Sequence, residues 1–598
     1  MPRRLEDVCN VLGTLERKDS AGHALMIKMC KPRQPRKAEK AADPDWEDKL
    51  YWRESREDML RLIEYCEQDC RAEDELSEIL NPLMPFERTL WLHDQVVNHR
   101  GLFIDIPAVK DVVKTLAAHE NRLLKEIMEL TDYVVDSPRQ IAASIDWMSS
   151  KGVHLLNMQK NTIQDTLDNN SLPPEVRRFL EIRQELGRSS TSKFTAMLDR
   201  AQEDQRARST IMHHGANTGR PTGKSIQPLN MPRESYLENN PKKSLAVARE
   251  VFATGDPGLV ELLLGQPFAS ASMCLRGSIS AAPGNDLIAA DYSSIEARGN
   301  AWAAGEEPIL EAFRADIDVY RITAADTFGI SPDEVDDERR TIGKVEDLAL
   351  GYGGGIGSLV SMSSNYNLDL ETLPPIIKPL IRPEDMEGKW SAINLAKRFF
   401  ENNPEARDKV SYEAAIACDI IKRRWRENRP MTVKSWRGYE QAAKSAVLYP
   451  GQEYHYRYIS YVVWQDTRGN SYLLCRLPSG RILYYFDPKL HGDDLKSTLS
   501  CMSVDSETKR WVRRPLYGGL LCENNVQALC RCLHTEAMIR LEQRGYPVVL
   551  HVYDEIVAEV REGTGSLEEF TSVMTELPHW AQGFPVKAVG WRGKHFRK

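Results

Sequence analysis

Residues 546–560 read Y-P-V-V-L-H-V-Y-D-E-I-V-A-E-V. Two apolar runs rich in β-branched residues flank Tyr553-Asp554-Glu555, the pattern of two strands joined by a tight turn. Asp is a common turn residue because its side chain bonds nearby backbone. Adjacent carboxylates at a hairpin tip therefore need a partner elsewhere before they imply chemistry. Residues 286–298, D-L-I-A-A-D-Y-S-S-I-E-A-R, offer one. The apolar L-I-A-A suits a buried strand ending at Asp291, with a helix starting near Ser293. If the two strands are neighbours, Asp291 and Asp554 converge. Close carboxylates in an apolar sheet repel each other unless a cation lies between them. Mg²⁺ suits such a site, since it takes hard oxygen ligands and keeps waters and substrate phosphates as the remainder. Two such ions would clamp the attacking and leaving oxygens of a phosphoryl transfer. On these strings alone, two unrelated turn aspartates remain the alternative.

A third string bears on the choice. In R-R-T-I-G-K-V-E-D-L-A-L-G-Y-G-G-G-I-G, residues 339–357, Arg340, Lys344, Leu348 and Tyr352 recur at every fourth position. On an α-helix that spacing drifts only ~40° per step, so the four share one broad face. Two cations followed by an apolar and an aromatic residue fit a nucleoside triphosphate. Arg would take phosphate through a forked contact and Lys as a point charge, while Leu348 and Tyr352 would pack on base and sugar. An ordinary amphipathic helix with solvated cations is the bland alternative, and the glycines after Tyr352 would then be a plain helix stop.

The elements that must position these residues follow from the rest of the chain. At 598 residues it exceeds one core, and about three to five domains or subdomains are expected. With 41% hydrophobic and 28% charged residues it has the composition of a soluble protein, and no apolar run approaches the ~20 residues that span a bilayer. The eleven cysteines contain no C-x-x-C pair, which argues against a zinc ribbon or disulfide scaffold and for reduced thiols. The net charge of −8 is a weak argument against nucleic-acid binding. It is offset by local basic stretches at 31–37, 421–426 and the C-terminus. Residues 31–45 read as a Pro/Lys loop, 46–84 as helix, 86–205 as largely amphipathic helix, 286–313 as strand then helix and 320–445 as mostly helix. Residues 453–487 alternate like strands, and a helix at about 522–544 precedes the opening hairpin.

With these motifs in hand, the chain resembles the family A DNA polymerases, the DNA polymerase I-like family, and most closely their bacteriophage branch. The family's D-Y-S-x-I-E-x-R is matched by Asp291 to Arg298. Its R-x-x-x-K-x-x-x-(aromatic)-x-x-x-Y-G is matched by Arg340, Lys344, Tyr352 and Gly353, and its H-D-E by Tyr553-Asp554-Glu555. The T-G-R…Q-x-x-N-x-P segment appears as Thr218-Gly219-Arg220 and Gln227 to Pro232, and Gln527 matches a family glutamine that contacts DNA. The terminus from Pro578 on looks phage-like.

The resemblance implies an α+β right-hand polymerase with palm, fingers and thumb, preceded by a remnant of an RNase H-like exonuclease domain. It assigns residues 1–85 to that remnant, 86–206 to the thumb, 207–300 to the first part of the palm, and 501–598 to its second part. Residues 301–500 become the fingers, with a strand-rich insertion near 453–500. By analogy, two Mg²⁺ ions are held by Asp291, Asp554 and the Tyr292 carbonyl, with Glu555 supporting the site. Arg340 and Lys344 bind the triphosphate, Leu348 and Tyr352 line its pocket, and Glu296 blocks a ribose 2′-hydroxyl. Arg220, Gln227, Asn230 and Gln527 hold DNA. The implied function is DNA-directed addition of deoxynucleotides to a primer, in phage genome replication within the cytoplasm of a bacterial host, or in a bacterial cytoplasm. The implied partners are primer-template DNA and deoxynucleoside triphosphates, with no membrane.

The sequence departs from the family at several points. Leu348 stands where Phe or Tyr is usual, Tyr553 where His is, and Ser294 where Gln is common. Asp318, in D-I-D-V-Y, takes a position that is often a phosphate-contacting His. Tyr65 and Asp69 fit the proofreading domain's last motif, Y-x-x-x-D, but its upstream carboxylates are not in this sequence. A split gene, a misplaced start or a lost domain would each account for that. Exonuclease activity is not expected from this chain alone, so a separate chain supplying the missing half joins replisome or processivity factors among the conceivable partners. Two rival readings are open. A single-subunit RNA polymerase needs a small residue where Glu296 stands. A non-catalytic descendant would be expected to lose Asp291, Asp554 or Lys344.

Overall fold

The computed structural model describes residues 4–597 except 44, 47–48, 169–170, 238–239, 241–242, 493 and 506–507. In chain order, the helices used below are α1 (Arg56–Ile79), α2 (Ile295–Ala304), α3 (Val319–Phe328), α4 (Asp337–Leu350), α5 (Pro430–Leu448), α6 (Gly518–Gln543) and α7 (Leu567–Thr575). The strands are β1 (Asn285–Tyr292), β2 (Tyr454–Tyr456), β3 (Ile459–Gln465), β4 (Ser471–Arg476), β5 (Ile482–His491), β6 (Thr498–Val504), β7 (Trp511–Leu516), β8 (Val548–Val552), β9 (Glu555–Arg561) and β10 (Ala588–Gly593). The chain divides into two compact units, Met1–Arg88 with Asn300–Val526 and Thr89–Gly299 with Gln527–Lys598.

The second unit is built on a four-stranded sheet in the order β8-β9-β1-β10. All of its neighbours are antiparallel. In β1 the apolar L-I-A-A run is almost wholly buried, as a central strand covered on both faces requires. Its other part is helical: Ile106–Leu130 packs against Pro174–Leu186 and Ser192–Arg200. Asp105 caps the first of these by accepting from the Ala108 amide at 3.2 Å.

In the first unit, α3 and α4 pack closely enough that only glycine fits at Gly343. A Cβ there would lie 2.2 Å from the Tyr320 carbonyl oxygen and 2.9 Å from the Ala324 nitrogen. A six-stranded antiparallel sheet runs β7-β6-β5-β4-β3-β2, with α5 packed on it. The alternation read over 453–487 is present as β2 to β5, but the sheet does not stop near 500. It continues through β6 and β7 to Leu516. β7 reads W-V-R-R-P-L, and its two arginines and Pro515 are typical of an edge strand, which hides its alternation.

Two local expectations change. Within the supposed loop at 31–45, Lys37–Ala42 is helical, and Pro44 lies outside the described residues. The helix read from residue 46 starts only at Arg56, where Ser55 Oγ accepts from the Asp58 amide at 3.1 Å; Glu47 and Asp48 also lie outside the described residues. N-terminal residues Cys9 and Leu12 form a buried cluster with Ala72 and Leu76 of α1, and Phe486 of β5 packs onto it. Arg468 adds an ion pair to Glu75 at 3.1 Å.

Candidate active site

In the second unit, the β8–β9 hairpin has a two-residue tip. Val552 pairs with Glu555, and Tyr553 adopts φ +53° to close the turn. Asn and Asp tolerate that left-handed region better than Tyr, so the turn is held by other contacts. The Tyr553 hydroxyl donates to Asn230 Oδ1 at 3.2 Å, and the Arg220 guanidinium lies 6.0 Å from the Tyr553 ring. The tyrosine that replaces the family histidine thus reaches the T-G-R and Q-x-x-N segments.

β9 lies beside β1 with Glu555 opposite Asp291, and the Tyr292 amide donates to the Asp554 carbonyl at 3.0 Å. The end of β1 and the hairpin tip are therefore adjacent, as the convergence of Asp291 and Asp554 requires. Asp291 and Asp554 are half-buried, whereas Glu555 is 1% exposed. The Tyr292 hydroxyl donates to the Met574 carbonyl of α7 at 2.5 Å, which fixes the strand end. Two carboxylates and a backbone carbonyl form an all-oxygen donor set, the chemistry that Mg²⁺ selects. Among the described residues no cluster of three or more metal-ligating side chains occurs.

Around this pair the unit gathers other residues named from sequence. Arg220 forms an ion pair with Glu296 in the first turn of α2. Thr218 Oγ1 donates to Gln527 Oε1 at 3.2 Å. Lys193 Nζ donates to the carbonyls of Gln227 and Asn230 at 3.2 and 2.8 Å, and Gln227 itself takes φ +47°.

Sequence reasoning missed two contributors. Arg276 is 4% exposed, donates through Nε to the Pro232 carbonyl at 2.8 Å, and lies over Phe596. Burial lowers its pKa, and the charges of Glu555 and Asp291 pull it back up. In L-R-G-S it carries no motif, so nothing in sequence marks it.

The other is His534. Its Nε2 lies 3.2 Å from the Glu555 carbonyl oxygen; a carbonyl only accepts, so Nε2 carries the proton. Its ring lies 5.7 Å from that of His551 on β8. Burial holds the His534 imidazole down to about 3, and burial also lowers His551, against the opposing charge of Asp94. A folded pKa below the unfolded one means that acid favours the unfolded state. For His534 the stability is complete above about pH 6.5 and is lost as pH falls towards about 3, at up to ~1.4 kcal/mol per pH unit. Thermal unfolding at about pH 7.5 and about pH 5 should therefore show a larger fall in Tm for wild type than for His534→Gln. Equal falls would acquit His534.

The second set of residues lies in the first unit. Arg340, Lys344 and Leu348 share the less buried side of α4, while Ile342, Val345, Ala349 and Leu350 are buried. Tyr352 falls just beyond the helix, which ends at Leu350, so the shared-stripe reading holds for three residues and not for the fourth. The Lys344 ammonium sits 4.8 Å from the Tyr366 ring centroid. The half-buried neighbour Asp347 accepts from Trp425 Nε1 at 2.7 Å and Thr323 Oγ1 at 3.0 Å. Glu346 accepts from Thr327 Oγ1 at 2.6 Å, and burial drives its pKa well up. In α1, Tyr65 and Asp69 face the same way: Lys18 Nζ is 3.4 Å from Asp69 and 5.7 Å from the Tyr65 ring centroid.

A family model described as DNA polymerase family A matches residues 107–365. A DNA polymerase of Bacillus phage SP02 is 30% identical over the whole of this chain and 84% of its own length. The thermostable DNA polymerase I of Thermus thermophilus is 24% identical over 46% of this chain and 31% of its own. Among solved structures, the POL domain of Pol1 from M. smegmatis, in complex with DNA primer-template and dNTP, matches with a TM-score of 0.51 and 16% identity. That match covers 98% of this chain and 81% of the other. No helix among the described residues is long and apolar enough to cross a membrane. The motifs, the sheet that carries them and the full-length similarity agree: the chain belongs to DNA polymerase family A.

Proposed function

We propose that this DNA polymerase extends a primer 3′ end by two-metal nucleotidyl transfer. The observation that carries the reading is the antiparallel register that sets Glu555 opposite Asp291 and Tyr292 beside Asp554. Asp291, Asp554 and the Tyr292 carbonyl would hold the two Mg²⁺ ions, with Glu555 buried behind them. Bound there, the metals would lower the pKa of the primer hydroxyl and neutralise the leaving pyrophosphate. Lys344 would hold the triphosphate by charge and Arg340 by its fork. Leu348 and Tyr352 would line the sugar and base. Arg220, Gln227, Asn230 and Gln527 would hold the primer-template.

In these terms residues 1–85 would be the exonuclease remnant, 86–206 the thumb, 207–300 and 501–598 the palm, and 301–500 the fingers. The setting proposed is phage genome replication in the cytoplasm of a bacterial host. For α1 we propose a structural part, because the Lys18 ammonium already occupies the carboxylate that a nuclease would turn to metal. A separate chain carrying the other exonuclease motifs, and replisome or processivity factors, are the further partners proposed.

The test is primer extension by the purified chain with Mg²⁺ and deoxynucleotides on a primed single-stranded template. Template-directed extension is expected, and its absence would overturn the reading. A ribonucleotide arm separates it from RNA synthesis. Glu296 is already turned towards Arg220, which limits its freedom to yield to a 2′-hydroxyl. Glu296→Ala should raise ribonucleotide relative to deoxynucleotide incorporation by about tenfold or more. An unchanged ratio would place the sugar gate elsewhere.

A further inference from the structure

We infer that Asp318 is a positioning residue for Arg340, which aims the guanidinium at the triphosphate and lowers the net charge the triphosphate meets there. The inference rests on the proposed role of Arg340 in phosphate binding. Asp318 is the N-cap of α3. Its Oδ1 accepts from the Tyr320 amide at 3.0 Å, and its carbonyl accepts from the Arg321 and Ile322 amides. The second oxygen, Oδ2, accepts from Arg340 Nε at 2.5 Å. Tyr320 holds the other side of the same group, with the guanidinium carbon 5.5 Å from its ring centroid. One helix cap thus grips Arg340 twice. The grip is stiff because α4 meets α3 backbone to backbone at Gly343, one turn away.

The geometry leaves part of the guanidinium available. An arginine presents its donors in a fixed plane. With Nε taken, the two terminal nitrogens remain to fork onto phosphate oxygens. The side chains of Arg340 and Asp318 are 36% and 32% exposed, so a polyanion reaches them from solvent. The cost is electrostatic, because a carboxylate beside the guanidinium makes the pair nearly neutral at a distance. Lys344, one turn along α4, is different. The ring of Tyr366 holds its ammonium without neutralising it. The two cations therefore divide the work: Lys344 supplies attraction, and Arg340 supplies direction. This also accounts for an acidic residue at a phosphate-binding position. Asp318 acts on the nucleotide through the arginine.

The test is single-turnover incorporation of a matched deoxynucleotide across a range of concentrations, with four variants. Arg340→Ala should weaken apparent nucleotide affinity about tenfold or more. Asp318→Asn keeps the cap and a neutral acceptor for Nε, and should tighten affinity about threefold or more. In the Arg340→Ala background, the same substitution should change affinity by less than about twofold. Asp318→Ala removes cap and acceptor together, and should slow the maximal rate about fivefold or more, most of which Asp318→Asn recovers. Equal effects of Asp318→Asn in both backgrounds would mean that Asp318 acts as a free charge, and the inference falls. If Arg340→Ala leaves nucleotide affinity unchanged, the phosphate-binding reading falls instead. A thermal melt of each variant separates loss of the α3 cap from loss of aim.

Discussion

Asp554→Asn should extend a primer at least about a thousandfold more slowly than wild type while still binding primer-template. The substitution preserves shape, so the hairpin survives. The bond from the Tyr292 amide to residue 554 is made to a backbone carbonyl, and the pairing of Val552 with Glu555 is likewise independent of the side chain. What disappears is the charge of one of the two carboxylates proposed to hold metal at the junction of β1 and β9. A neutral amide oxygen is a poor ligand for a hard divalent ion that must also share its shell with phosphates. Asp291→Asn should do the same, and the double variant should be scarcely slower than either single one, since residues that act as a unit are not additive. Single-turnover extension, beside a binding assay with a fluorescent duplex, measures both parts. Near-normal extension by Asp554→Asn would break the assignment.

Gly343→Ala should be nearly as damaging, although it adds a single methyl group and removes no functional one. The added carbon would meet the Tyr320 carbonyl oxygen at 2.2 Å and the Ala324 nitrogen at 2.9 Å. Both are backbone atoms of α3, so relief requires the helices to part. Overpacking of this kind costs about 1–3 kcal/mol, which a thermal melt will register. The larger effect is expected in kinetics. A displacement of α4 by ~1 Å moves Arg340 off Asp318 and carries Lys344 with it, and misplacement of that size costs about a hundredfold in rate. Maximal rate and nucleotide affinity should both fall. Kinetics like those of wild type would show that α3 does not set the place of α4.

These two predictions draw on very different depths of sequence information. Asp291 and Asp554 stood out because metal chemistry would demand carboxylates, and because the flanking apolar runs announce the strands that carry them. The pairing of those strands was a conditional, and the register of β1 with β9 answers it. The shared face of α4 was legible from its spacing up to Leu348. It failed at Tyr352 because the glycine run ends the helix first. Gly343 falls at an unspecified position of R-x-x-x-K and drew no reading, since a close backbone approach depends on a second helix that no local pattern reveals. Arg276, His534 and Tyr366 were invisible for the same reason: each matters through a neighbour distant in sequence. Asp318 was visible as an anomaly, and only the position of Arg340 gives it a physical account. The extension of the six-stranded sheet was missed where edge-strand arginines and a proline mask the period of two.

The N-terminal helices pack on the sheet. Phe486 seats on the cluster formed by Cys9, Leu12, Ala72 and Leu76, and Arg468 reaches Glu75. A change at the polar positions Tyr65 and Asp69 would leave this apolar hold on α1 intact. The helix is kept in place as a roof.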